Sequence, residues 1–150
     1  ATSLPHRMQA VGELDGVLWI NDSKATNVGA ARSAIDSLER PLIVLLGGYE
    51  KGESMAALAP VLERCARRVV AFGAAGERIA RELETAWGAA TDAPRLDRCA
   101  DFDHALDCAA GHAVAGDVVL LSPACSSFDE FENYEARGRR FIEFVRARAD

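Results

Sequence analysis

The sequence predicts an α/β protein of Rossmann-like, doubly wound type: a mostly parallel sheet of about six strands, one antiparallel strand at the N-terminal end, and helices on both faces. Three observations predict it. Apolar runs at residues 42–46, 69–72 and 118–121 are too short for helices and lack alternating polar positions, as in strands covered on both sides. The segments between them carry apolar residues at helical spacing. The resulting order, β-β-α-β-α-β-α-β-α-β-α, is the alternation that right-handed crossovers wind into a parallel sheet.

The elements follow in order. Residues 9–13 and Val17–Asn21 flank Leu14-Asp15-Gly16, where Asp-Gly suits a hairpin turn, so they form the one antiparallel pair. After the first helix comes the strand at 42–46, and Leu58, Ala59 and Leu62 mark a helix behind Ser54. The strand at 69–72 precedes a stripe of Ile79, Ala80, Leu83 and Trp87. Arg95–Cys99 is a less apolar strand. Asp101 is a natural N-cap for a helix whose apolar face is Phe102, Ala105, Leu106, Ala109, Ala110 and Ala113. The strand at 118–121 leads to a final helix carrying Phe131, Tyr134, Phe141, Ile142 and Val145.

Composition bounds what such a domain does. The chain has 150 residues, 49% of them hydrophobic, enough for one core without disulfides or metal. Seventeen Lys+Arg against 23 Asp+Glu give a net charge of −6, which argues against nucleic acid or an anionic membrane as partner. Cys65, Cys99, Cys108 and Cys125 form no C-x-x-C pair and no zinc-finger spacing, so they read as reduced, mostly buried thiols of a cytoplasmic protein. The opening residues carry neither a signal peptide nor Met, which reads as a piece cut from a longer chain.

Ligands of doubly wound folds sit outside the carboxyl ends of the strands. Three loops fall there: Asn21-Asp22-Ser23-Lys24-Ala25-Thr26-Asn27, Gly47-Gly48-Tyr49-Glu50-Lys51-Gly52, and Ser122-Pro123-Ala124-Cys125-Ser126-Ser127-Phe128-Asp129. Together they supply two lysines, several hydroxyls and free amides at helix N-termini, which is equipment for an anion. Other motifs carry less. Gly73 and Gly76 form only half of a dinucleotide fingerprint and read as close helix packing. Ser122, Ser126 or Ser127 with His104 or His112 lack the G-x-S-x-G elbow of a hydrolase. His104 and His112 read as solvent-facing or capping residues, and Cys125 as structural. The basic cluster Arg137, Arg139, Arg140, Arg146 and Arg148 is diluted by acids and reads as a solvated helix face, with Arg137 at the sheet edge.

The loops also resemble one family. Leu4-Pro5-His6-Arg7, then Trp19-Ile20 running into the Asn21 to Asn27 loop, then Leu46-Gly47-Gly48 with Lys51, then Leu121 and the Ser122-Pro123-Ala124-Cys125 loop with Ser127, Asp129 and Phe131, then Arg137-Gly138, resemble the C-terminal domain of the Mur ligases. Within that family the chain is most similar to the glutamate-adding members. The resemblance covers essentially the whole chain.

It implies an ATP-dependent acid–amino-acid ligase of peptidoglycan synthesis in the bacterial cytoplasm. Such an enzyme uses ATP and Mg2+ to turn a carboxylate into an acyl phosphate. The amine of glutamate attacks it, joining glutamate to UDP-N-acetylmuramoyl-L-alanine and releasing ADP and phosphate. ATP and Mg2+ belong mainly to a central domain and the uridine nucleotide to an N-terminal one. No G-x-x-x-x-G-K-[ST] occurs here, so residues 1–150 are expected to be the amino-acid-binding domain alone, monomeric and inactive by itself, partnered by those two domains.

By the same resemblance Lys51 pairs with a glutamate carboxylate, Lys24 is a second base in that pocket, and Thr26 and Ser127 donate hydroxyls. Phe128 adds an amide and a wall, and Tyr134 lines the pocket. Arg7 and Asp22 reach the nucleotide, Arg7 at the phosphates and Asp22 at the ribose, with His6 orienting the hinge. No catalytic base and no metal ligand is assigned within the domain. Two alternatives stay open: a ligase adding L-glutamate to the same precursor or glutamates to folate, and a non-catalytic α/β ligand-binding module.

Overall fold

A computed structural model describes residues 4–49 and 52–149. The elements are β1 (Gln9–Leu14), β2 (Val17–Asn21), α1 (Val28–Asp36), β3 (Leu42–Gly47), α2 (Ala59–Cys65), β4 (Ala66–Phe72), α3 (Gly76–Trp87), β5 (Arg95–Cys99), α4 (Phe102–His112), β6 (Val118–Ala124) and α5 (Tyr134–Ala149), with a 3-10 turn, Ala56–Leu58, before α2. One six-stranded sheet has the order β1-β2-β6-β3-β4-β5. Only β1 runs antiparallel, against β2; every other neighbouring pair is parallel.

The strand period of two explains the three layers. Along β3, Leu42, Val44 and Leu46 face a core shared with α1, α2 and α3, while Ile43 and Leu45 face a second core with α4 and α5. Val118 and Leu120 of β6 join the first core, Val119 and Leu121 the second. All of these are buried, each contributing about 1.5–3 kcal/mol, so the runs without polar residues are the central strands. Trp19 of β2 lies against Phe141 and Phe144 of α5, with both centroid distances 5.7 Å.

Several boundaries differ from the sequence reading for local reasons. The hairpin turn has positive φ at both Asp15 (51°) and Gly16 (80°), the geometry that suits the twist of paired strands. β4 starts three residues earlier than the apolar run, because Arg67 and Arg68 pair with Asp117 and Asp97 instead of ending the strand. α5 starts at Tyr134; Phe131 lies before it, edge-on to Phe102 with centroids 5.5 Å apart. Asp101 caps α4 as the sequence predicts, accepting from the His104 amide at 2.9 Å. Among the described residues no helix is long and apolar enough to cross a membrane, and the four cysteines form no disulfide; only Cys125 is buried, the other three being half-buried and not mostly buried as the sequence suggests.

Candidate functional site

Three strand exits meet at one end of the sheet. The β3 exit turns at Gly47 (φ 155°) and Gly48 (φ 132°). A Cβ on Gly48 would collide with the Ser126 carbonyl, so only glycine lets this loop approach the β6 exit. The two loops are then stitched by Tyr49 N–H donating to Ser126 O at 2.9 Å. At the end of β6, Ala124 takes φ 62°, strained for a residue with a side chain, and its amide donates to Ala25 O of the β2 exit at 2.9 Å.

The β2 exit is built from buried polar groups. Asp22 is buried; its Oδ1 accepts from Met8 N–H at 3.0 Å and its Oδ2 from Ser122 O–H at 2.9 Å. Burial pushes its carboxyl above the usual range, against the pull of these two hydrogen bonds and of the Arg7 charge. Asn21 Nδ2 lies 2.9 Å from His6 Nδ1 and donates to Gln9 Oε1 at 3.1 Å, and the Lys24 amide donates to His6 O at 3.0 Å. Burial lowers the His6 pKa, keeping the ring neutral near pH 7. The ring lies over Gly138 and edge-on to Tyr134, so the opening segment is clamped between β2 and α5.

Arg7, Asp22 and Lys24 line one cleft of about 470 Å3 together with Met8, Ser33 and Ser37. Exposed Arg7 and Lys24 supply charge at its mouth, and Asp22 is the one acid in its lining. The resemblance had grouped Lys24 with the residues of the second and third loops; in the structure it shares a cleft with the residues expected to meet the nucleotide.

A second group of donors lies beneath the Gly47-Gly48 turn. Arg137, 1% exposed, donates from Nε to Ser23 Oγ at 2.9 Å and from Nη2 to Ser23 O at 2.8 Å. Ser23 Oγ–H in turn donates a hydrogen bond to the Tyr134 carbonyl at 2.7 Å. This corrects the reading of Arg137 as part of a solvated face: the first turn of α5 points inward, and only the later arginines face solvent. Its Nη1 and the hydroxyls of Ser126 and Ser127 are buried without a hydrogen-bond partner among the described residues. Burial pushes the Arg137 pKa down to about 10, so it is charged at neutral pH, and its unmatched Nη1 beside Gly48 leaves donor capacity for an acceptor.

All but one of the remaining predicted residues have a place. Ser127 is buried at the β6 exit, whereas Phe128 is 66% exposed on the same loop. Tyr134 is half-buried at the start of α5, and Thr26 half-buried on the β2 exit. Lys51 lies outside the described residues. Sequence reasoning missed Asn21, Ser23 and Ser122 as supports of the site. Their signal was their position in polar loops directly after apolar strands.

Of the groups expected from the resemblance, a nucleotide fits the 470 Å3 cleft, with cations for phosphate and a carboxylate for hydroxyls. A Mg2+ site does not: the cleft lining has one carboxylate, too few for an ion that takes several hard oxygen ligands.

Comparison with known proteins bears on family and fold. The family described as "Mur ligase, glutamate ligase domain" matches residues 6–125. The UDP-N-acetylmuramoylalanine--D-glutamate ligase of Salinibacter ruber is 45% identical over 142 residues, covering 95% of this chain and 30% of the relative. That of Chlamydia trachomatis is 43% identical over 141 residues, covering 94% and 32%. The chain thus spans about a third of the length of these relatives. Among solved structures, the bifunctional folylpolyglutamate synthase/dihydrofolate synthase of Yersinia pestis has a TM-score of 0.67 at 20% identity, covering 97% of this chain and 32% of that one, which is a likeness of fold.

Proposed function

The chain belongs to the Mur ligase family as a glutamate ligase domain, and from that premise we propose that it is the C-terminal, glutamate-binding and nucleotide-closing domain of an ATP-dependent ligase. The reaction is the joining of D-glutamate to UDP-N-acetylmuramoyl-L-alanine in bacterial peptidoglycan synthesis, in the cytoplasm. The single observation that carries this reading is identity of 43–45% over nearly the whole chain to enzymes named for that reaction.

The resemblance divides the site residues between two ligands. Arg7 and Asp22 take the nucleotide, with Lys24 adding charge to the same cleft. Ser127, Lys51 and Thr26 hold the glutamate carboxylates, with Phe128 and Tyr134 as walls and the charge of Arg137 beneath. ATP supplies the energy that activates the acceptor carboxylate, and the central domain of the full-length protein holds it with Mg2+. This domain delivers the amine, excludes water and closes over the nucleotide. Alone it folds without ligating.

Substitution in the full-length enzyme tests the assignment. Lys51→Ala should raise the KM for D-glutamate by more than about 100-fold, as expected when a charge-assisted carboxylate contact is lost. Asp22→Ala should raise the KM for ATP more than that for glutamate. The opposite pattern would exchange the two clefts, and turnover by the 150 residues alone would overturn the reading.

A further inference from the structure

A cluster of metal-ligating side chains lies away from both clefts, between the edge strand β5 and helix α4. Asp97 and Cys99 are two apart on β5 and so share a face of the sheet; Cys108 and His112 are four apart on α4 and share a face of the helix. Packing of α4 on β5 brings the two pairs together. A carboxylate oxygen of Asp97, Sγ of Cys108 and a ring nitrogen of His112 all lie within 4.8 Å of one another.

From this juxtaposition we propose that Asp97, Cys108 and His112 bind a thiophilic divalent metal ion, zinc by the chemistry of the set. A thiolate, an imidazole and a carboxylate, with water as a fourth ligand, suit a borderline-soft tetrahedral ion and disfavour Mg2+ or Ca2+. Zinc bonds of about 2.0–2.3 Å place tetrahedral ligand atoms roughly 3.3–3.8 Å apart, so the cluster closes on the ion by side-chain shifts of about an ångström. Arg68 Nη1 holds Asp97 Oδ2 at 2.6 Å, which orients the carboxylate and leaves its second oxygen to the metal. His112 is exposed and gives the ion access. The bound ion would staple the edge strand to α4, and the proposal does not depend on the ligase reading.

Cadmium, whose thiolate complexes absorb in the ultraviolet, is the probe. The reduced 150-residue chain should take up one equivalent of Cd2+ with a thiolate charge-transfer band, and Zn2+ should displace it. Cys108→Ser should abolish the band, and His112→Ala, at an exposed position that leaves the fold intact by circular dichroism, should weaken Cd2+ binding by more than about 10-fold. Cys65→Ser should change neither. Unaltered affinity in His112→Ala, a band that survives Cys108→Ser, or a band lost in Cys65→Ser would overturn the site.

Discussion

The two ends of the sheet are built on opposite principles. At the amino ends of the parallel strands, Arg40 donates to the carbonyls of Gly16, Gly116 and Asp117, and tethers the turns before β2, β3 and β6. Buried Asp117 accepts from Arg67 at 2.5 Å and from the Val114 amide at 2.9 Å. There most of the polar groups are consumed by one another, although Arg68 Nε on β4 is buried without a partner among the described residues and Asp15 in the hairpin takes a positive φ. At the carboxyl ends, Arg137, Ser126 and Ser127 keep unmatched donors, and His6, Met8 and Ala124 take positive φ. Each such residue costs about 1–2 kcal/mol, and such costs concentrate where a ligand is to be met. One end secures the fold; the other holds hydrogen-bonding capacity in reserve.

Three substitutions test that contrast. Arg137→Ala should cost the most, about 3 kcal/mol by urea unfolding, because it opens a cavity and strips Ser23 Oγ and O of their donors. A loss below about 1 kcal/mol would mean that the guanidinium serves only the ligand. Asp117→Ala at the opposite end should cost about 2 kcal/mol by the same measurement, since the Val114 amide loses its acceptor and Arg67 its partner. Ser127→Ala should leave stability within about 0.5 kcal/mol of the parent, since its hydroxyl has no partner to lose, yet reduce D-glutamate use in the full-length enzyme. Destabilisation as large as that of Asp117→Ala would erase the difference between the ends.

How much of this was legible in the sequence depended on the range of the interaction. β3, β6 and the hairpin were readable because uninterrupted apolar runs and Asp15-Gly16 are local signals. The start of β4 was not, because Arg67 and Arg68 find acids 50 and 29 residues away. The three exits were readable as polar loops directly after apolar strands. What escaped was which loop shares a cleft with which. Lys24 and Thr26 are two residues apart, yet only Lys24 lines the cleft of Arg7 and Asp22. Arg137 escaped for a similar reason. A helix that begins against buried loops and ends in solvent gives its arginines opposite fates, and their charge pattern alone does not separate them.

The bond from Arg137 to Ser23 spans 114 residues, and the bond from Ser122 to Asp22 spans 100. During synthesis at about 5–20 residues per second, roughly 6–23 s separate the appearance of Ser23 from that of Arg137. Through that interval the β2 exit has emerged without its clamp, and Asp22 remains hydrated until β6 arrives. The cleft is therefore among the last parts of the domain to take shape on the ribosome, whereas the β1–β2 hairpin can close as soon as it leaves the tunnel. Damage to the final helix would leave a sheet that forms but a ligand end that never consolidates.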